Sequence, residues 1–482
     1  MERSSSAQAD SPAIDYCRVR QEFWDARARN ATHHSWGGLY HRHLQRVYRF
    51  LVPEGQHVLE LGCGNGDLLA AVKPAHGVGV DFSAEMIALA GKRHPHLQWL
   101  QMDAQDLSAL QGKFDFIILS DLINDLWDVQ TVLEQLEPLC TSTTRIILNY
   151  YSHLWEWPLR IAQKLHMATP RLEQNWLTNE DVANLAHLTG FDVLRRWTEM
   201  IWPLPIPLIE PLCNRVLARL WPFRDLALAN FVIARSRQPR PEGHPSVSVI
   251  VPARNESGNI PAIFARLPEM GRFTELIFVE GHSRDDTAAV IRREIDRHPQ
   301  QRCLFLQQTG MGKADAVRLG FAHASGDILM ILDADLTVPP EDLPRFYEAL
   351  VSNRGEFING VRLVYPMERQ AMRSFNLLGN KLFSLAFSWL LGQPIKDTLC
   401  GTKVLWRADY ERIAANRSYF GDFDPFGDFD LLFGAARLNR RIIDLPIRYR
   451  ERVYGTTNIS RFRHGLLLLR MVLFAARRIK FV

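Results

Sequence analysis

The segment that most constrains the fold is an apolar run, Ile328 to Leu332, that ends in two carboxylates, Asp333 and Asp335. A short apolar run bounded by polar residues is typical of a buried strand. In extended backbone, residues i and i+2 point to the same side, so we expect the two carboxylates to lie together at the strand end. Two neighbouring carboxylates favour a divalent cation whose remaining ligands are water molecules and substrate phosphates. The pattern therefore predicts chemistry on a nucleotide diphosphate.

Length and composition indicate two globular domains. The chain has 482 residues, which exceeds one typical hydrophobic core. An apolar content of 47% and a charged content of 23% are ordinary for a soluble protein. The net charge of +4 is too small to argue for nucleic acid, so we expect no nucleic-acid partner.

The cysteines and the first residues bear on the compartment. The six cysteines are scattered without a C-x-x-C pair, which favours reduced cytosolic thiols over a disulfide framework or a zinc site. The start, MERSSSAQ, lacks the apolar core of a signal peptide. No stretch reaches the roughly 18 uncharged apolar residues of a spanning helix. We therefore expect a cytoplasmic protein, with peripheral contact to the cytoplasmic face of a membrane left open.

Apolar runs that alternate with amphipathic segments divide the chain into two α/β domains. We predict a disordered tail at 1–14, a domain at 15–235, a linker at 236–245, a second domain at 246–460 and a basic amphipathic C-terminal helix at 461–482. Strands that alternate with helices imply a parallel sheet in each domain. The polar, proline-rich composition of the third segment is that of a linker.

The apolar segment 199–223 interrupts this alternation. It contains five prolines, at positions 203, 205, 207, 211 and 222. Neither a regular helix nor a central strand tolerates that density of proline. We therefore expect irregular structure there, before a final strand of the first domain.

A glycine-rich turn follows the first predicted strand of that domain. Val58 to Gly66 reads as a strand that runs into the turn and then into a helix. Glycine lets the backbone approach a ligand closely, and a helix N-terminus favours an anionic group. The next two strands end at Asp81, where a carboxylate can bind ribose hydroxyls, and at Asp103. These features at successive strand ends indicate a nucleotide-type cofactor.

Together these residues resemble the class I S-adenosylmethionine-dependent methyltransferases, over residues 45–235. The turn reads E-x-G-x-G-x-G, whereas the dinucleotide pattern is G-x-G-x-x-G, which speaks against NAD. The resemblance implies a Rossmann-like domain with S-adenosylmethionine as cofactor. In it Asp81 would bind the ribose, and Asp103, followed by Ala104, would bind the adenine. The residues that would frame the cofactor are Glu60, Gly62, Gly64 and Gly66.

The methyl acceptor is less well specified. Asp121, Asn124 and Asp125 follow the fourth strand, where they would contact an acceptor or cap the following helix. Further residues could line the site or be structural: Tyr150, Tyr151 and His153. No catalytic base is assigned, because methyl transfer can proceed largely by positioning.

In the second domain, polar loops follow successive strands. Val249 to Glu256 (VIVPARNE) is a strand that opens into a polar loop, and the next strand ends at Glu280. Lys313 stands in a glycine-lysine turn that opens a helix, a position suited to phosphate. The aspartate pair follows at the next strand end, where ligands bind in open α/β sheets.

This arrangement resembles the family 2 nucleotide-sugar glycosyltransferases of the GT-A fold, over nearly all of 246–460. It is most similar to the polyprenyl-phosphate group, typified by dolichyl-phosphate mannose synthase. The segments that carry the resemblance are VPARNE, FVEGHSRDDT, GKADAVRLGF, LDADL, NGVR, DTLCGTKVLWR and ERVYGTTNIS.

The resemblance implies roles for individual residues. Asp333 and Asp335 would hold Mg²⁺ or Mn²⁺ against the diphosphate of the sugar nucleotide, and Lys403 stands where the family often has a basic residue. The residues that would border the nucleobase are Pro252, Arg254, Glu256 and Glu280. Those that would neutralise the donor diphosphate or an acceptor phosphate are Arg362, Arg373 and Arg452.

Two positions depart from the family pattern. Gly281 replaces the second acid of the usual V-D-D-G-S sequence, and Thr337 stands where the polyprenyl-phosphate group often has Gln as a further metal ligand. Donor contacts and the metal coordination number are therefore open, whereas the reaction class is unaffected.

Direct displacement at the anomeric carbon needs a base or an already ionised acceptor. Asp428 and Asp430 are the candidates, because family members carry an acid before a Leu-Leu pair. If the acceptor is a phosphate, no base is needed and these acids would serve the metal, the donor or the structure. Asp428 could equally cap a helix.

Two segments could contact a membrane surface. Leu377 to Trp389 is apolar, and Leu466 to Val482 is a basic, apolar helix with arginines every seven residues. The alternative is a terminal helix that packs on its own domain.

The sequence supports three functional hypotheses. The first is a bifunctional enzyme that transfers a sugar, with inversion, from a nucleotide-diphosphate sugar to a polyprenyl phosphate or other glycolipid or glycan acceptor, and methylates a product of the same pathway. The second keeps the glycosyltransferase active and makes the first domain a cofactor-binding or regulatory module. The third is a membrane scaffold built from two relic folds.

Overall fold

The computed structural model describes residues 12–29, 37–165, 171–238, 243–362, 364, 374–417, 427–450, 452, 454 and 469–480. The chain forms two compact units, Met1–Gln238 and Pro239–Val482. The division falls inside the predicted linker 236–245, although the last strand of unit 1 extends to Ser236. Of the predicted site residues, Arg373 lies outside the described residues, as does the side chain of Asp428.

Unit 1 alternates helices and strands as predicted. Its helices are α1 (Pro12–Arg29), α2 (Gly37–Leu51), α3 (Asp67–Ala71), α4 (Ala84–Arg93), α5 (Val129–Leu136), α6 (Glu156–Lys164), α7 (Asn179–Leu188) and α8 (Ile209–Pro211). Its strands are β1 (His57–Leu61), β2 (His76–Asp81), β3 (Gln98–Gln101), β4 (Phe116–Ser120), β5 (Arg145–Tyr151), β6 (Phe191–Glu199) and β7 (Ala229–Ser236).

The first helix begins earlier than the sequence analysis predicts. The predicted tail reached residue 14, whereas α1 starts at Pro12. Proline is favoured at the first helical position, because its fixed φ suits a helix and its missing N–H has no intrahelical partner there.

The seven strands of unit 1 form one sheet in the order β3-β2-β1-β4-β5-β7-β6. Strands β1 to β5 pair in parallel, and β7 runs antiparallel to β5 and β6. Successive side chains of a strand face opposite sides, so Leu59 and Leu61 join one hydrophobic cluster whereas Val58 joins the other. The first four parallel strands end on one edge, where the predicted cofactor residues lie.

Unit 2 is also an α/β unit. Its helices are α9 (Ile260–Arg266), α10 (Thr287–Arg297), α11 (Lys313–His323), α12 (Leu343–Val351), α13 (Ser374–Leu391), α14 (Arg407–Ala415) and α15 (Asp428–Arg437). Its strands are β8 (Val247–Ala253), β9 (Thr274–Glu280), β10 (Arg302–Gln307), β11 (Ile328–Ile331), β12 (Phe357–Val361), β13 (Lys403–Trp406) and β14 (Ile442–Pro446).

The second sheet has the order β10-β9-β8-β11-β13-β12-β14. Strand β13 is antiparallel to β11 and to β12, while the other pairs are parallel. The prediction of two α/β domains is confirmed, with the correction that both sheets are mixed. The antiparallel strands pair with partners distant in sequence, which no local pattern reveals.

The described part of the C-terminal helix, residues 469–480, packs on its own unit. Met471, Ala475 and Ile479 are buried in the core cluster that contains Phe387. This is the packing alternative of the sequence analysis, although Leu469 and Leu473 on the same helix are exposed. Among the residues that the structure describes, no helix is both long and apolar enough to cross a membrane.

Candidate functional sites

Backbone geometry explains the glycines of the turn after β1. Gly62, Gly64 and Gly66 have φ angles of +68°, +49° and +77°, a left-handed conformation that other residues adopt only at a cost. A Cβ atom on Gly66 would also collide with the Trp99 ring, whereas a Cβ on Gly64 would meet nothing within 4 Å. The turn therefore combines left-handed backbone with open space beside Gly64, which lets a ligand approach the main chain.

Asp81, at the end of β2, is hydrogen-bonded to this turn. Its Oδ2 accepts a hydrogen bond from the Gly64 amide and its Oδ1 one from the Ser83 amide, both at 2.9 Å. Burial raises the pKa of the Asp81 carboxyl, and the amide hydrogen bonds oppose that rise. The predicted ribose ligand thus lies against the predicted glycine-rich turn.

Glu60 is a buried carboxyl at the end of β1. Burial raises its pKa well above the ordinary value. Among the described residues, its Oε2 has no hydrogen-bond partner. Buried polar atoms are nearly always hydrogen-bonded, so this oxygen can accept a bond from a ligand donor. A cofactor that carries an ammonium group, as S-adenosylmethionine does, fits this position.

Asp103 and the buried Ala104 follow β3, and helix α1 lies against them. Burial and the neighbouring Asp103 carboxylate raise the pKa of the Cys17 thiol on α1. Gln21, one turn further along α1, donates a hydrogen bond to the Phe82 carbonyl at 3.1 Å. Helix α1 therefore contacts the loops after both β2 and β3, where the predicted adenosine ligands stand.

A buried polar cluster surrounds Asp121 at the end of β4. Its carboxylate accepts hydrogen bonds from Tyr40 (2.7 Å), Asn149 (2.6 Å) and Tyr151 (3.3 Å). Arg171 in turn donates to the Tyr151 hydroxyl at 2.6 Å. Asp121 has a φ of +55°, which costs energy in a residue other than glycine. Sequence reasoning did not find Tyr40 or Arg171, because both lie far from β4 in the chain.

The loop after β4 adjoins the glycine-rich turn. A Cβ on Gly62 would come within 2.8 Å of Leu122 Cδ1. The alternative that Asp121, Asn124 or Asp125 caps the following helix is wrong, because Asp128 accepts the hydrogen bonds of the first turn of α5. Asn124 instead accepts a hydrogen bond from the Tyr151 amide at 3.1 Å.

Two more of the predicted acceptor residues lie at the end of β5 and just after it. Tyr150 is buried and donates a hydrogen bond to Asn179 Oδ1 at 2.6 Å. His153 is exposed in a short helical turn after β5. Tyr150 therefore has the structural role that the sequence analysis left open.

In unit 2, the loops after β8, β9 and β10 meet at one edge of the sheet. The Gly281 amide donates to the Ala253 carbonyl and the Gln308 amide donates to the Glu280 carbonyl, both at 2.9 Å. Glu280 is buried, and its Oε1 accepts a hydrogen bond from the Ser283 amide at 2.5 Å. The three strand ends therefore form one continuous polar edge.

The remaining predicted nucleobase residues lie on the same edge. Pro252 is half-buried and Arg254 is exposed. Glu256 is buried and accepts a hydrogen bond from Asn259 Nδ2 at 2.7 Å. Burial raises the pKa of Glu256 to about 7, although the neighbouring Arg452 guanidinium opposes the rise.

Asp333 lies beside Lys313, the first residue of α11. Lys313 Nζ is 2.5 Å from Asp333 Oδ1. Burial favours the neutral acid, yet Lys313 holds the pKa of Asp333 below its usual range. A Cβ on Gly401 would collide with both side chains, so a larger residue there would have to displace this pair.

Asp335 forms an ion pair with a different cation, Arg452. Arg452 Nη2 lies 2.6 Å from Asp335 Oδ2, and Arg452 Nη1 lies 3.5 Å from Glu256 Oε1. Thr337, which replaces the Gln of the family pattern, donates to Asp335 Oδ1 through its hydroxyl at 2.7 Å and through its amide at 3.1 Å. Thr337 therefore orients Asp335.

The donor set around Asp333 and Asp335 fits a cation that shares its ligands with substrate. Among the described residues, no group of three or more His, Cys, Asp or Glu could enclose a metal ion. Mg²⁺ is commonly held by one or two carboxylates together with waters and substrate phosphates. The aspartate pair supplies the two carboxylates, and Lys313 and Arg452 add positive charge for phosphates.

The predicted phosphate-binding residue Arg362 is engaged by a residue that sequence reasoning missed. Its guanidinium makes a two-pronged ion pair with Asp397, at 2.7 and 2.9 Å. The pKa of Asp397 is low despite its burial, because Arg362 stabilises the carboxylate. Lys403 is fully buried and donates to the Cys400 carbonyl. Asp397 stands in the DTLCG segment, which was the available signal.

Asp430, the better-described candidate base, is buried beside two guanidinium groups. Arg417 Nε lies 2.8 Å and Arg318 Nη2 3.5 Å from its Oδ2. Asp428 is the first residue of α15. The contacts of Asp430 agree with the sequence alternative in which this acid serves the structure.

Comparisons with known proteins assign each unit to a family. Residues 32–196 match the family described as "Methyltransferase domain", and residues 248–413 match "Glycosyl transferase family 2". One curated relative is undecaprenyl-phosphate 4-deoxy-4-formamido-L-arabinose transferase of Klebsiella pneumoniae, 25% identical over 221 residues, which are 45% of this chain and 63% of the relative. The chain thus spans less than two thirds of the length of that relative.

Two solved structures are similar at low identity. A glucosyl-3-phosphoglycerate synthase from Mycobacterium tuberculosis is 20% identical, with 49% of this chain and 81% of that chain covered and a TM-score of 0.36. A possible histamine N-methyltransferase from Thermotoga maritima is 16% identical, with 46% and 100% covered and a TM-score of 0.35. By its family matches, the chain joins an S-adenosylmethionine-dependent methyltransferase domain to a family 2 glycosyltransferase domain of the GT-A fold.

Proposed function

We propose that the chain is a bifunctional enzyme. Unit 2 would transfer a sugar, with inversion and metal dependence, from a nucleotide-diphosphate sugar to a polyprenyl phosphate or other glycolipid or glycan acceptor. Unit 1 would methylate a compound of the same pathway with S-adenosylmethionine. The observation that carries the proposal is the meeting of two carboxylates with two cations, Asp333 with Lys313 and Asp335 with Arg452, at a strand edge that also bears Glu256.

In the proposed site, different residues of the polar edge would bind different parts of the sugar nucleotide. Asp333 and Asp335 would hold Mg²⁺ or Mn²⁺, which neutralises the charge that develops on the departing diphosphate. Lys313 and Arg452 would bind phosphate oxygens in exchange for their present carboxylate partners. The nucleobase would lie between the loops after β8 and β9, bordered by Pro252, Arg254, Glu256 and Glu280.

The acceptor proposal rests on the curated relatives. The Klebsiella protein is named as a transferase that acts on undecaprenyl phosphate. A phosphate acceptor is already ionised at neutral pH, so its oxygen can attack the anomeric carbon without a base. This agrees with an Asp430 that is held by Arg417 and Arg318. An acceptor embedded in lipid would place the enzyme at the cytoplasmic face of a membrane as a peripheral protein.

In unit 1, the glycine-rich turn, Glu60, Asp81 and Asp103 would bind S-adenosylmethionine. The Asp121 cluster, beside that turn, would face the methyl acceptor. The polar side chains there can position an acceptor oxygen or nitrogen, and positioning is a large part of catalysis in such transfers. The cofactor itself supplies the electrophilic methyl group.

A panel of nucleotide sugars tests the glycosyl transfer. Each would be incubated with the full chain, polyprenyl phosphate and Mg²⁺ or Mn²⁺, and the products read by mass spectrometry. We expect one sugar nucleotide to yield a glycosylated polyprenyl phosphate, and chelation of the metal to abolish it. Transfer that persists in excess chelator would exclude the metal role of the aspartate pair.

Calorimetric titration with S-adenosylhomocysteine tests unit 1. We expect a one-to-one complex that is lost in an Asp81→Ala variant. The absence of any binding heat by the wild-type chain would exclude methyl transfer. Binding without methylated product from any acceptor in the panel would support the cofactor-binding module instead.

A further inference from the structure

The segment between β6 and β7 of unit 1 presents large apolar side chains on its surface. Leu208 is 84% exposed, Trp221 is 74% exposed and Leu212 is 54% exposed. Helix α6 adds Trp157 at 69%, and Leu165, the residue that follows the helix, is 62% exposed. Soluble monomers seldom expose apolar residues in such concentration, and patches of this kind mark interaction sites. We call the exposed residues of α6 and of 206–226 the apolar surface.

Two polar side chains of this segment, Asn214 and Arg219, point inward. Asn214 is 1% exposed, and its Oδ1 accepts hydrogen bonds from the amides of Ile201 (2.9 Å) and Trp202 (2.8 Å). Arg219 Nη1 lies 2.5 Å from the buried Glu199 Oε1. These two side chains thus tie the segment to the rest of unit 1, while Leu208, Leu212 and Trp221 face outward. This orientation is the reverse of that expected for a surface that faces only water.

Helix α6 contributes a continuous apolar stripe. Trp157, Ile161 and Leu165 are all exposed and recur every four residues, which places them on one helical face. The Trp155 indole donates a hydrogen bond to the Leu226 carbonyl at 2.9 Å, so α6 and the end of the proline-rich segment are adjacent. The two elements therefore form one surface.

The charges at this surface are mostly positive. In 153–165 and 201–226, the exposed charged side chains are Arg160, Lys164, Arg215, Arg224 and Asp225. Arg160 is ion-paired with Glu156 at 2.9 Å and Arg224 with Asp225 at 3.5 Å, so the excess of positive charge comes mainly from Lys164 and Arg215. Arg160 and Lys164 lie three residues after Trp157 and Ile161, beside the stripe. Apolar residues flanked by cations, with tryptophan among them, match the chemistry of an anionic lipid surface.

We propose that the apolar surface docks unit 1 on a lipid bilayer that carries anionic headgroups, with Trp157 and Trp221 inserted at the level of the headgroups. The proposal rests on the proposed function in one respect: a polyprenyl-phosphate acceptor lies in such a bilayer. It places the membrane contact on the methyltransferase unit, whereas the sequence analysis considered only unit 2. Docking here would bring the chain to the membrane that contains the acceptor.

Flotation of the full chain with vesicles tests the docking. Vesicles of phosphatidylcholine with phosphatidylglycerol would be compared with pure phosphatidylcholine, at low and high salt. We expect binding that needs the anionic lipid and weakens with salt, because screening reduces the attraction of the four cations. The variant Trp157→Glu/Trp221→Glu should bind roughly 100-fold more weakly, since each buried apolar anchor contributes about tenfold or more.

A matched control comes from the same unit. Leu188 on α7 is 59% exposed and lies outside the apolar surface, so Leu188→Glu should bind vesicles like the wild type. Equal flotation of Trp157→Glu/Trp221→Glu and wild type would overturn the proposal. So would light scattering that shows a dimer in solution which this variant dissociates without any change in flotation, since the occupant would then be a second copy of the chain.

A water-soluble acceptor allows the membrane-docking proposal to be tested independently of the proposed function. We expect Trp157→Glu/Trp221→Glu to transfer sugar to a short, water-soluble polyprenyl phosphate at the wild-type rate, and to lose transfer to a long-chain acceptor in vesicles. If the wild type transfers sugar to neither acceptor, the proposed function fails, while the flotation result still decides the docking. Unchanged transfer to the vesicle acceptor would overturn the docking alone.

Discussion

Arg452 Nη2 lies 2.6 Å from Asp335 Oδ2, and the same guanidinium reaches Glu256 Oε1 at 3.5 Å. One arginine from near the end of unit 2 thus joins a residue of the predicted metal pair to a residue of the predicted nucleobase site. A guanidinium in this position would meet a sugar-nucleotide diphosphate from the side of the nucleobase.

Replacing Arg452 should therefore impair sugar transfer. A hydrogen bond to a charged group contributes roughly 1.5–3 kcal/mol, so Arg452→Gln should lower kcat/KM about 10- to 150-fold. Arg452→Lys should recover only part of that, because an ammonium cannot bind two oxygens in parallel. Arg450→Gln, two residues away and exposed, is the control, and equal losses in both variants would contradict a specific role.

The aspartate pair should be required for transfer and dispensable for cofactor binding. Asp333→Ala/Asp335→Ala removes both proposed metal ligands and should abolish product formation, whereas S-adenosylhomocysteine affinity in unit 1 should be unchanged. Asp327 stands just before the other end of β11, where it accepts a hydrogen bond from Ser246 Oγ at 2.7 Å. Asp327→Asn should retain transfer. Undiminished transfer by the double variant would exclude the metal assignment.

The glycine-rich turn offers a matched pair of substitutions. Gly66 and Gly55 have φ angles of +77° and +78°, but a Cβ would strike Trp99 only at Gly66. Gly55→Ala should cost about 1–2 kcal/mol of stability from backbone strain. Gly66→Ala should cost more and weaken S-adenosylhomocysteine binding. Thermal unfolding and calorimetry measure the two effects, and equal unfolding temperatures would contradict the steric argument.

The free energy of unfolding should decrease in acid because of the carboxylate of Glu199. It is buried against His43, at 2.9 Å, and Arg219, at 2.5 Å. Although burial acts to raise it, the Arg219 guanidinium and the hydrogen bond with His43 lower the pKa of Glu199 to about 2 from an ordinary 4.5. A depressed folded-state pKa stabilises the fold above the unfolded pKa, and that stabilisation is lost as pH falls from about 4.5 through about 2.

Substitution isolates this contribution. Glu199→Gln should lose roughly 3 kcal/mol at pH 7, because it leaves a buried guanidinium without its carboxylate partner. Its stability should then change less between pH 5 and pH 3 than that of the wild type. Urea unfolding at both pH values measures this, and parallel pH profiles of the two proteins would refute the assignment.

Substitutions at Asp430 would distinguish a catalytic base from an acid with a structural role. If its ion pairs with Arg417 and Arg318 are its main role, Asp430→Asn and Arg417→Gln should lower the unfolding temperature by similar amounts and leave kcat within about tenfold. A loss of kcat by several thousandfold in Asp430→Asn, with unchanged unfolding temperature, would instead identify it as the base.

Much of the architecture could be predicted because its signals are local. The alternation of apolar runs and amphipathic segments predicts the parallel strands, and the predicted ends at Asp81 and before Asp333 agree with the structure to within about two residues. The strands β6, β13 and β14 were not predicted. The pairing of β13 and β14 depends on partners far along the chain, which periodicity does not encode.

The kinds of functional side chain at the two sheet edges could also be predicted from the sequence. The side chains with which they form ion pairs could not. Asp333 and Asp335 could be recognised two residues apart, but Lys313 and Arg452 reach them from positions 20 and 117 residues away. Which cation meets which carboxylate is decided when the loops after β8, β10, β11 and β14 come together in the fold. Asp397 is a further example, since only the fold brings it to Arg362.

The sequence by itself determined the two α/β domains, the glycine-rich turn and the aspartate pair, because backbone periodicity and residue chemistry act over a few residues. Only the tertiary structure decided that Arg452 links Asp335 to Glu256, that Asp430 lies beside two guanidinium groups, and that the proline-rich segment turns Asn214 and Arg219 inward while Leu208 and Trp221 face outward. Those outcomes depend on which surfaces are buried together, and burial is a property of the folded chain.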